Sequence, residues 1–263
     1  MRALKFPLSD ETPWGSDPLW DKEYAEGLIA QWDEGTSQAV FILEKTEVPS
    51  GGRVLDLGCS VGRHTLTLAH GGCLVTGIDI SHYAIRKAEE IARMKNLAPE
   101  LIHGDFRAVE FKGPFELVLL LNNTFGLFSE EENLALFGRA AAAVGPGGFL
   151  VIHTHNREHI VERMGFQKGL GRNWEELEGK LLSRASSFDL LRSRYNQWSE
   201  YMILKTGQKV EEPVHSIRLY SLCELAGRLA GAGFSIAHAF GDYEGSEYTI
   251  ISEEMVVFAK KEG

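Results

Sequence analysis

The 263-residue chain has only three cysteines, Cys59, Cys73 and Cys223. None forms a CxxC pair, and they lie too far apart to imply a compact disulfide framework, so free thiols in a reducing cytoplasm are expected. Long apolar runs are also missing. The opening MRALKFPLSDETPWGSDPLW has no apolar signal core, and no stretch approaches the roughly 20 apolar residues of a membrane helix. A membrane partner is therefore not expected. Basic charge is scarce as well: 27 Lys and Arg face 37 Asp and Glu, for a net charge of -10. Nucleic-acid binding draws most of its affinity from clustered cations, so a polyphosphate partner is disfavoured. What the chain does have is apolar content, 44% of its residues, enough for a sizeable core and too much for disorder.

From Arg53 to Val151, short apolar runs alternate with helical patterns. RVLDL, CLVTGID, ELIHGD, FELVLLL and GGFLVIHTH read as strands. Such alternation predicts a parallel, doubly wound sheet. Ser81 is placed to cap a helix whose apolar positions Ala84, Ile85, Ala88, Ile91 and Ala92 recur with helical period, and residues 129–143 form another. Residues 18–32 and 37–47 read as two helices preceding the first strand. Past Asn156 the pattern changes: residues 180–190, 191–205 and 209–220 read as β segments, with Thr206-Gly207-Gln208 as a hairpin turn. SLCELAGRLAGAGF then restores a helix, with a capping box at Ser221 and Glu224 and a stop at Gly233. FSIAHAF and EEMVVFAKK supply the last strands. The block 157–219 carries 11 Lys plus Arg against 9 Asp plus Glu, a slightly basic piece on an acidic body that permits an anionic ligand.

The chemistry-bearing segment is VLDLGCSVGRH, which joins a strand to a helix through Gly58 and Gly62. Such a loop lets a ligand approach the backbone where side chains would collide. A GxGxxG dinucleotide fingerprint would need glycine at 58, 60 and 63, where this chain has Gly58, Ser60 and Arg63, so ordinary NAD binding is disfavoured. Asp79 follows 21 residues after Gly58, at the carboxyl end of the next strand. A carboxylate there can accept both hydrogens of a ribose diol; the alternative is a helix-capping acid. The third strand ends in HGDF, placing Asp105 to accept from an adenine amino group.

In this order, VLDLGCSVGRH, VTGIDIS, IHGDF, LVLLLNNTFGLF and VGPGGFLVI resemble the motifs of the class I S-adenosylmethionine (SAM)-dependent methyltransferases, over nearly the whole chain. HSIRLYSLCELAGRLAGAGF and GDYEGS are similar to a bacterial branch acting on small molecules. The resemblance implies a Rossmann-like sheet of seven strands, mostly parallel with an antiparallel last strand, carrying an inserted antiparallel β lid and an N-terminal helical cap. It divides a single domain, 1–263, into a cap at 1–50, a SAM-binding core at 51–156 and 220–263, and a lid at 157–219. SAM is the implied cofactor. Asp56 would brace the loop, Gly58 would lie beside the methionine moiety with Cys59 and Gly62 completing the turn, and Asp79 with Ile80 would hold the ribose. Asp105 and Phe106 would frame the adenine, and Leu121 and Asn122 would border the sulfonium. Ser60 departs from the family, which has glycine there; serine fits if its backbone angles stay ordinary.

On the acceptor side, Asn122, Asn123, Thr124 and Phe125 follow the fourth strand, at the edge where open α/β sheets bind ligands; a polar helix cap is the alternative for Asn123 and Thr124. His153 and His155 alternate on one strand and share a face, but no third metal ligand is evident and no metal is expected. His155, at the strand end, is the candidate base or acceptor-orienting group. Tyr201 lies on one face of its strand with Tyr195, Gln197, Ser199 and Ile203. Arg218, in RLY, offers a fork for a carboxylate or phosphate, or else a structural ion pair. Trp20 and Tyr24 can cover the methionine end of SAM, and Arg63 and His64 can approach its carboxylate. The expected activity is methyl transfer to a nitrogen, oxygen or carbon nucleophile of a small molecule by a monomer or homodimer. The alternatives are aminocarboxypropyl or other non-methyl transfer, and a non-catalytic SAM-binding module.

Overall fold

The computed structural model describes residues 22–166, 170–177, 180–211 and 215–263; Trp20 lies outside them. Two helices, α1 (Lys22–Ala30) and α2 (Trp32–Thr46), precede the first strand. The core then alternates β1 (Arg53–Leu57), α3 (Arg63–His70), β2 (Leu74–Asp79), α4 (His82–Met94), β3 (Glu100–His103), β4 (Phe115–Leu120), α5 (Glu130–Ala143) and β5 (Val144–His155). After α6 (Arg157–Phe166) come β6 (Leu170–Leu177), β7 (Lys180–Asp189), β8 (Arg194–Ile203), β9 (Lys209–Glu211) and β10 (His215–Arg218). The chain returns through α7 (Leu222–Gly231) to β11 (Phe234–Phe240) and β12 (Glu254–Lys261).

The main sheet has the order β11-β12-β5-β4-β1-β2-β3, with β12 antiparallel to both its neighbours and the other pairings parallel. The strand order reverses between β1 and β4, and the tips of parallel strands diverge there into a crevice. One face of the sheet packs Leu55, Leu120, Leu136, Phe137, Leu225 and Leu229 under α5 and α7. The other packs Ile42, Val54, Leu68, Leu119 and Phe258 under α2 and α3. Both helix starts expected from sequence are capped as their residues dictate: Ser81 accepts from the Ala84 N–H, and Ser221 and Glu224 form a reciprocal capping box.

Three local expectations need correction. The second helix starts at Trp32 rather than 37. Thr36 and Ser37 return their hydroxyls to the carbonyls of Trp32 and Asp33, which satisfies them within the helix and lets it start a turn earlier. Gly35 sits mid-helix because a Cβ there would lie 2.7 Å from the Cβ of Arg63, so its bareness lets α3 approach α2. The block 157–219 is not all β: it opens with α6, where the Asn156 side chain accepts from the Glu158 N–H and Ile160 and Met164 are buried one turn apart. β8 begins at Arg194 rather than 191, because Asp189 Oδ1 accepts from the N–H groups of Leu191 and Arg192 and closes a turn.

The second sheet, β10-β8-β7-β6 with β9 on β8, is antiparallel throughout. It is fastened to the core by Arg194, only 7% exposed, which donates to the Phe128 carbonyl and to Ser216. Beside that anchor the loop 126–128 turns around fully buried Asn133, whose Oδ1 accepts from Gly126 and Phe128 N–H and whose Nδ2 donates to the Phe128 carbonyl. Asn133→Ala leaves those peptide groups unmatched and is expected to cost about 2 kcal/mol, read as a lower urea midpoint at unchanged slope. Among the described residues no helix is long and apolar enough to cross a membrane.

Candidate functional site

The crevice at the β1/β4 reversal is a cavity of about 790 Å³ including its mouth, within the range of sites that enclose a cofactor-sized ligand. Its first wall is the loop after β1. The peptide N–H groups of Gly58 and Cys59 both donate to the Ile78 carbonyl, and Gly62, at φ 82°, starts α3. Gly58 itself is left-handed, at φ 84°. Ser60 is left-handed too, at φ 48°, so its angles are not the ordinary ones expected; it holds the glycine-like conformation with a side chain. Its anchor is Asp79, whose Oδ2 accepts from Ser60 N–H at 2.8 Å while Oδ1 accepts from Ser81 N–H at 2.8 Å. These two bonds make good a small conformational penalty.

Asp79 is 9% exposed and lines the crevice. Burial pushes its carboxyl upward, and the Ser81 and Ser60 N–H groups pull the other way. Each oxygen retains a second lone pair, so the residue can still accept from a diol. Asp56 lies deeper and accepts from the Thr65 hydroxyl at 2.6 Å, tying β1 to α3; burial raises its pKa from 3.8 to about 6. Beside it, His64 shares a 2.8 Å hydrogen bond with Gln38 and is pushed down to about 3 by burial, with Arg63 and His153 adding to the effect.

At the far end, Asp105 and Phe106 line the cavity with Arg107 and Phe128. Asp105 differs from expectation in being already engaged: Arg107 donates to it from Nε and Nη2 and from its own N–H. Partial burial works to raise the carboxyl, but these bonds outweigh it and hold it below the usual range. The same guanidinium lies 4.2 Å from the Phe128 ring centroid, and Phe128 meets Phe106 edge-on at 5.7 Å. The result is an aromatic wall with a fixed charge beside it.

The structure brings Tyr24, Gly58, Cys59, Arg63, Asp79 and Ile80 to one crevice, with Asp105, Phe106 and Asn122 on its other side. Asp56, Gly62 and Leu121 stand behind that surface rather than on it: Asp56 and Leu121 are buried, and Gly62 packs toward Leu66 and Ala88. Thr124 lines the wall, but Phe125 is fully buried and stacks on Tyr220 at 4.6 Å. Asn123 turns inward, its Oδ1 accepting from Thr154 Oγ1 and His155 N–H.

Three acceptor-side candidates are not in the crevice wall. His155 faces Glu254, at 3.7 Å, and the edge of Tyr195. Tyr201 sits out on β8, with the Lys180 ammonium 4.7 Å from its ring. Arg218 is an ion-pair hub between Glu130, at 3.3 Å, and Glu224, at 2.6 Å, stacked on Tyr220. None of the described residues of the second sheet lines the crevice, because Arg194 and Arg218 spend their donors clamping that sheet to the core. Leu28, Leu127, Phe128 and Arg107 do line it and were not anticipated. Leu127 and Phe128 have a sequence signal in retrospect: they continue the segment after β4 into the Ser129 capping box.

The burial of His64 gives a pH signature. As a neutral group it contributes stability that is fully present above its unfolded pKa of 6.5 and is lost as pH falls toward 3. Asp56 acts oppositely, its contribution being present below 3.8 and lost as pH rises through about 6. In thermal melts between pH 7 and 4, His64→Gln should close on, then overtake, the wild type as pH falls, whereas Asp56→Asn should gain on it as pH rises.

Fold and crevice together define a Rossmann-like nucleotide-binding enzyme. A methyltransferase domain model matches residues 54–148. The chain is 28% identical over 221 residues to a cypemycin N-terminal methyltransferase of a Streptomyces species, covering 81% of this chain and 85% of that protein. It is 30% identical over 190 residues to a carboxy-S-adenosyl-L-methionine synthase of Pseudomonas syringae pv. tomato, covering 68% of each. The CcbJ methyltransferase structure from Streptomyces caelestis superposes with a TM-score of 0.72 at 22% identity, over 87% of this chain and 95% of that one. The chain belongs to the class I SAM-dependent methyltransferases, and SAM is its cofactor.

Proposed function

We propose that this enzyme methylates an amine nitrogen of a small molecule. The carrying observation is that four strand tips present a bare left-handed glycine, a backbone-anchored carboxylate, an aromatic wall and the Asn122 tip to one crevice. These residues fit SAM: Asp79 has acceptor capacity for the ribose, Phe106 and Phe128 give an aromatic wall for the adenine, and Gly58 and Asn122 border the space between. SAM supplies an activated methyl on a sulfonium, and the protein's task is to hold a lone pair in line with it and keep water out; orientation of this kind is worth about 7–11 kcal/mol. Arg107 and Phe128 wall off the adenine end, while Tyr24 and Leu28 of α1 close the opposite side. Burial keeps His64, on the crevice wall, toward its neutral form, and the Arg107 guanidinium is spent on the Asp105 carboxylate. An amine that arrives unprotonated needs no general base.

Nitrogen is favoured because a relative matched over most of this chain is named a cypemycin N-terminal methyltransferase and another is named a glycine/sarcosine N-methyltransferase. The reading places the enzyme in a reducing cytoplasm, consistent with Cys59, Cys73 and Cys223 being free thiols, and gives it no nucleic-acid or membrane partner. The Pseudomonas relative supports a second reading, in which the sulfonium itself is the group modified. Incubation with methyl-labelled SAM and a panel of small amines separates them. Labelled N-methyl product with S-adenosylhomocysteine supports methyl transfer. A carboxylated SAM, or methylthioadenosine from aminocarboxypropyl transfer, overturns it.

A further inference from the structure

The tip of β4 is held in an unusual way. Asn122 and Asn123 are consecutive non-glycine residues in the left-handed region, at φ 52° and 65°. Each such residue carries a penalty, and a pair persists only where the surroundings over-determine it. Here the neighbouring strand does so. Asn123 N–H donates to the His153 carbonyl at 3.0 Å, and the Asn123 side chain accepts from the two residues beyond it. Asn122 is fastened differently: its N–H donates to His153 Nδ1 at 3.4 Å. A ring nitrogen that accepts at Nδ1 carries its proton on Nε2. His153 Nε2 faces the Glu254 carboxylate in direct contact.

Glu254 arrives from β12, opposite His155 in the antiparallel register, with Val256 opposite His153. His153 is 4% exposed, and the Tyr243 ring of the GDYEGS segment meets its imidazole edge-on at 5.0 Å. His155 also faces the carboxylate, its Nδ1 lying 3.7 Å from Oε1. Neither His153 nor Glu254 lines the crevice, but Asn122 does.

We propose that Glu254 and His153 are positioning residues for group transfer, a carboxylate–imidazole relay that fixes the Asn122 peptide at the crevice wall. This rests on the methyl-transfer reading only for its catalytic consequence; the relay itself is a statement about one tautomer and one peptide. Glu254 sets the tautomer, the tautomer gives Asn122 N–H its acceptor, and the strained tip holds its place beside the bound sulfonium.

The test uses the full chain bound to S-adenosylhomocysteine, with 15N-labelled histidine and backbone amides. In the wild type His153 is expected to be protonated at Nε2 and bare at Nδ1. Glu254→Gln retains a carbonyl acceptor and should keep that tautomer, the Asn122 amide resonance and turnover within about threefold of wild type. Glu254→Leu should mix the tautomers, shift the Asn122 resonance and lower saturated turnover on the amine panel about tenfold, while the S-adenosylhomocysteine Kd stays within about threefold. An Asn122 resonance indifferent to Glu254→Leu, a His153 proton on Nδ1, or a Kd that rises in step with the loss of turnover would overturn the proposal. If Glu254→Leu does not fold, Glu254→Gln against His153→Gln decides it, since only the second changes the acceptor offered to Asn122. A wild type with no turnover on amines sinks the amine reading, and the tautomer and amide measurements still decide the relay.

Discussion

Asp79→Ala is expected to weaken SAM binding by roughly 5- to 150-fold, the equivalent of about 1–3 kcal/mol of lost hydrogen bonding. Two losses combine. The ribose hydroxyls lose their acceptor, and the N–H groups of Ser60 and Ser81 lose theirs in a site where Asp79 is only 9% exposed. The second loss matters because Ser60 holds a left-handed conformation that glycine would take freely; unanchored, the loop has reason to relax away from the ligand. Asp79→Asn separates the effects, since its single carbonyl can serve Ser60 or Ser81 but not both. Calorimetric Kd values for SAM, paired with melting temperatures, should place Asn between the wild type and Ala on both axes. An unchanged Kd for a folded Asp79→Ala protein would remove the ribose from this carboxylate.

The donor half of the site was legible in sequence because strand tips are read from periodicity, and a residue one step past an apolar run in an α/β sheet lies at the ligand edge. Gly58, Asp79 and Asp105 fall at such positions, and the structure places all three on one crevice. Asp105 shows the limit of that logic: sequence gives its place, but not that Arg107, two residues on, takes up both its oxygens. The acceptor half was less legible because it depends on which strand neighbours which. His155 and His153 look alike in HTH, yet antiparallel β12 brings Glu254 between them, and only His153 reaches the Asn122 peptide. Arg218 looked like a ligand fork because its partners, Glu130 and Glu224, come from α5 and α7 and are distant in sequence. The helix α6 carried a local signal in Asn156, Ile160 and Met164, but it is short and opens a block whose later residues alternate as strands.

The second large effect is expected at Gly58, where Ala should lower the melting temperature by roughly 4–20 °C. The cost has two parts with different remedies. At φ 84° a side chain pays about 1–2 kcal/mol for the left-handed backbone. Its Cβ would also lie 2.9 Å from Thr124 Oγ1 and 3.4 Å from Cγ2. Thr124 cannot swing aside freely, being 6% exposed and committed through Oγ1 to the Leu121 carbonyl at 2.6 Å; overpacking of this kind costs about 1–3 kcal/mol. At about 2–4 °C per kcal/mol for a chain approaching this size, the sum gives the stated range. Thr124→Ala in the Gly58→Ala background removes the collision and leaves the backbone penalty. Measured against Thr124→Ala alone, Gly58→Ala should therefore cost about half as much as it does in the wild type. An undiminished cost would mean that Thr124 does not restrict the loop, and a vanished cost would mean that the left-handed turn is not what reserves this position for glycine.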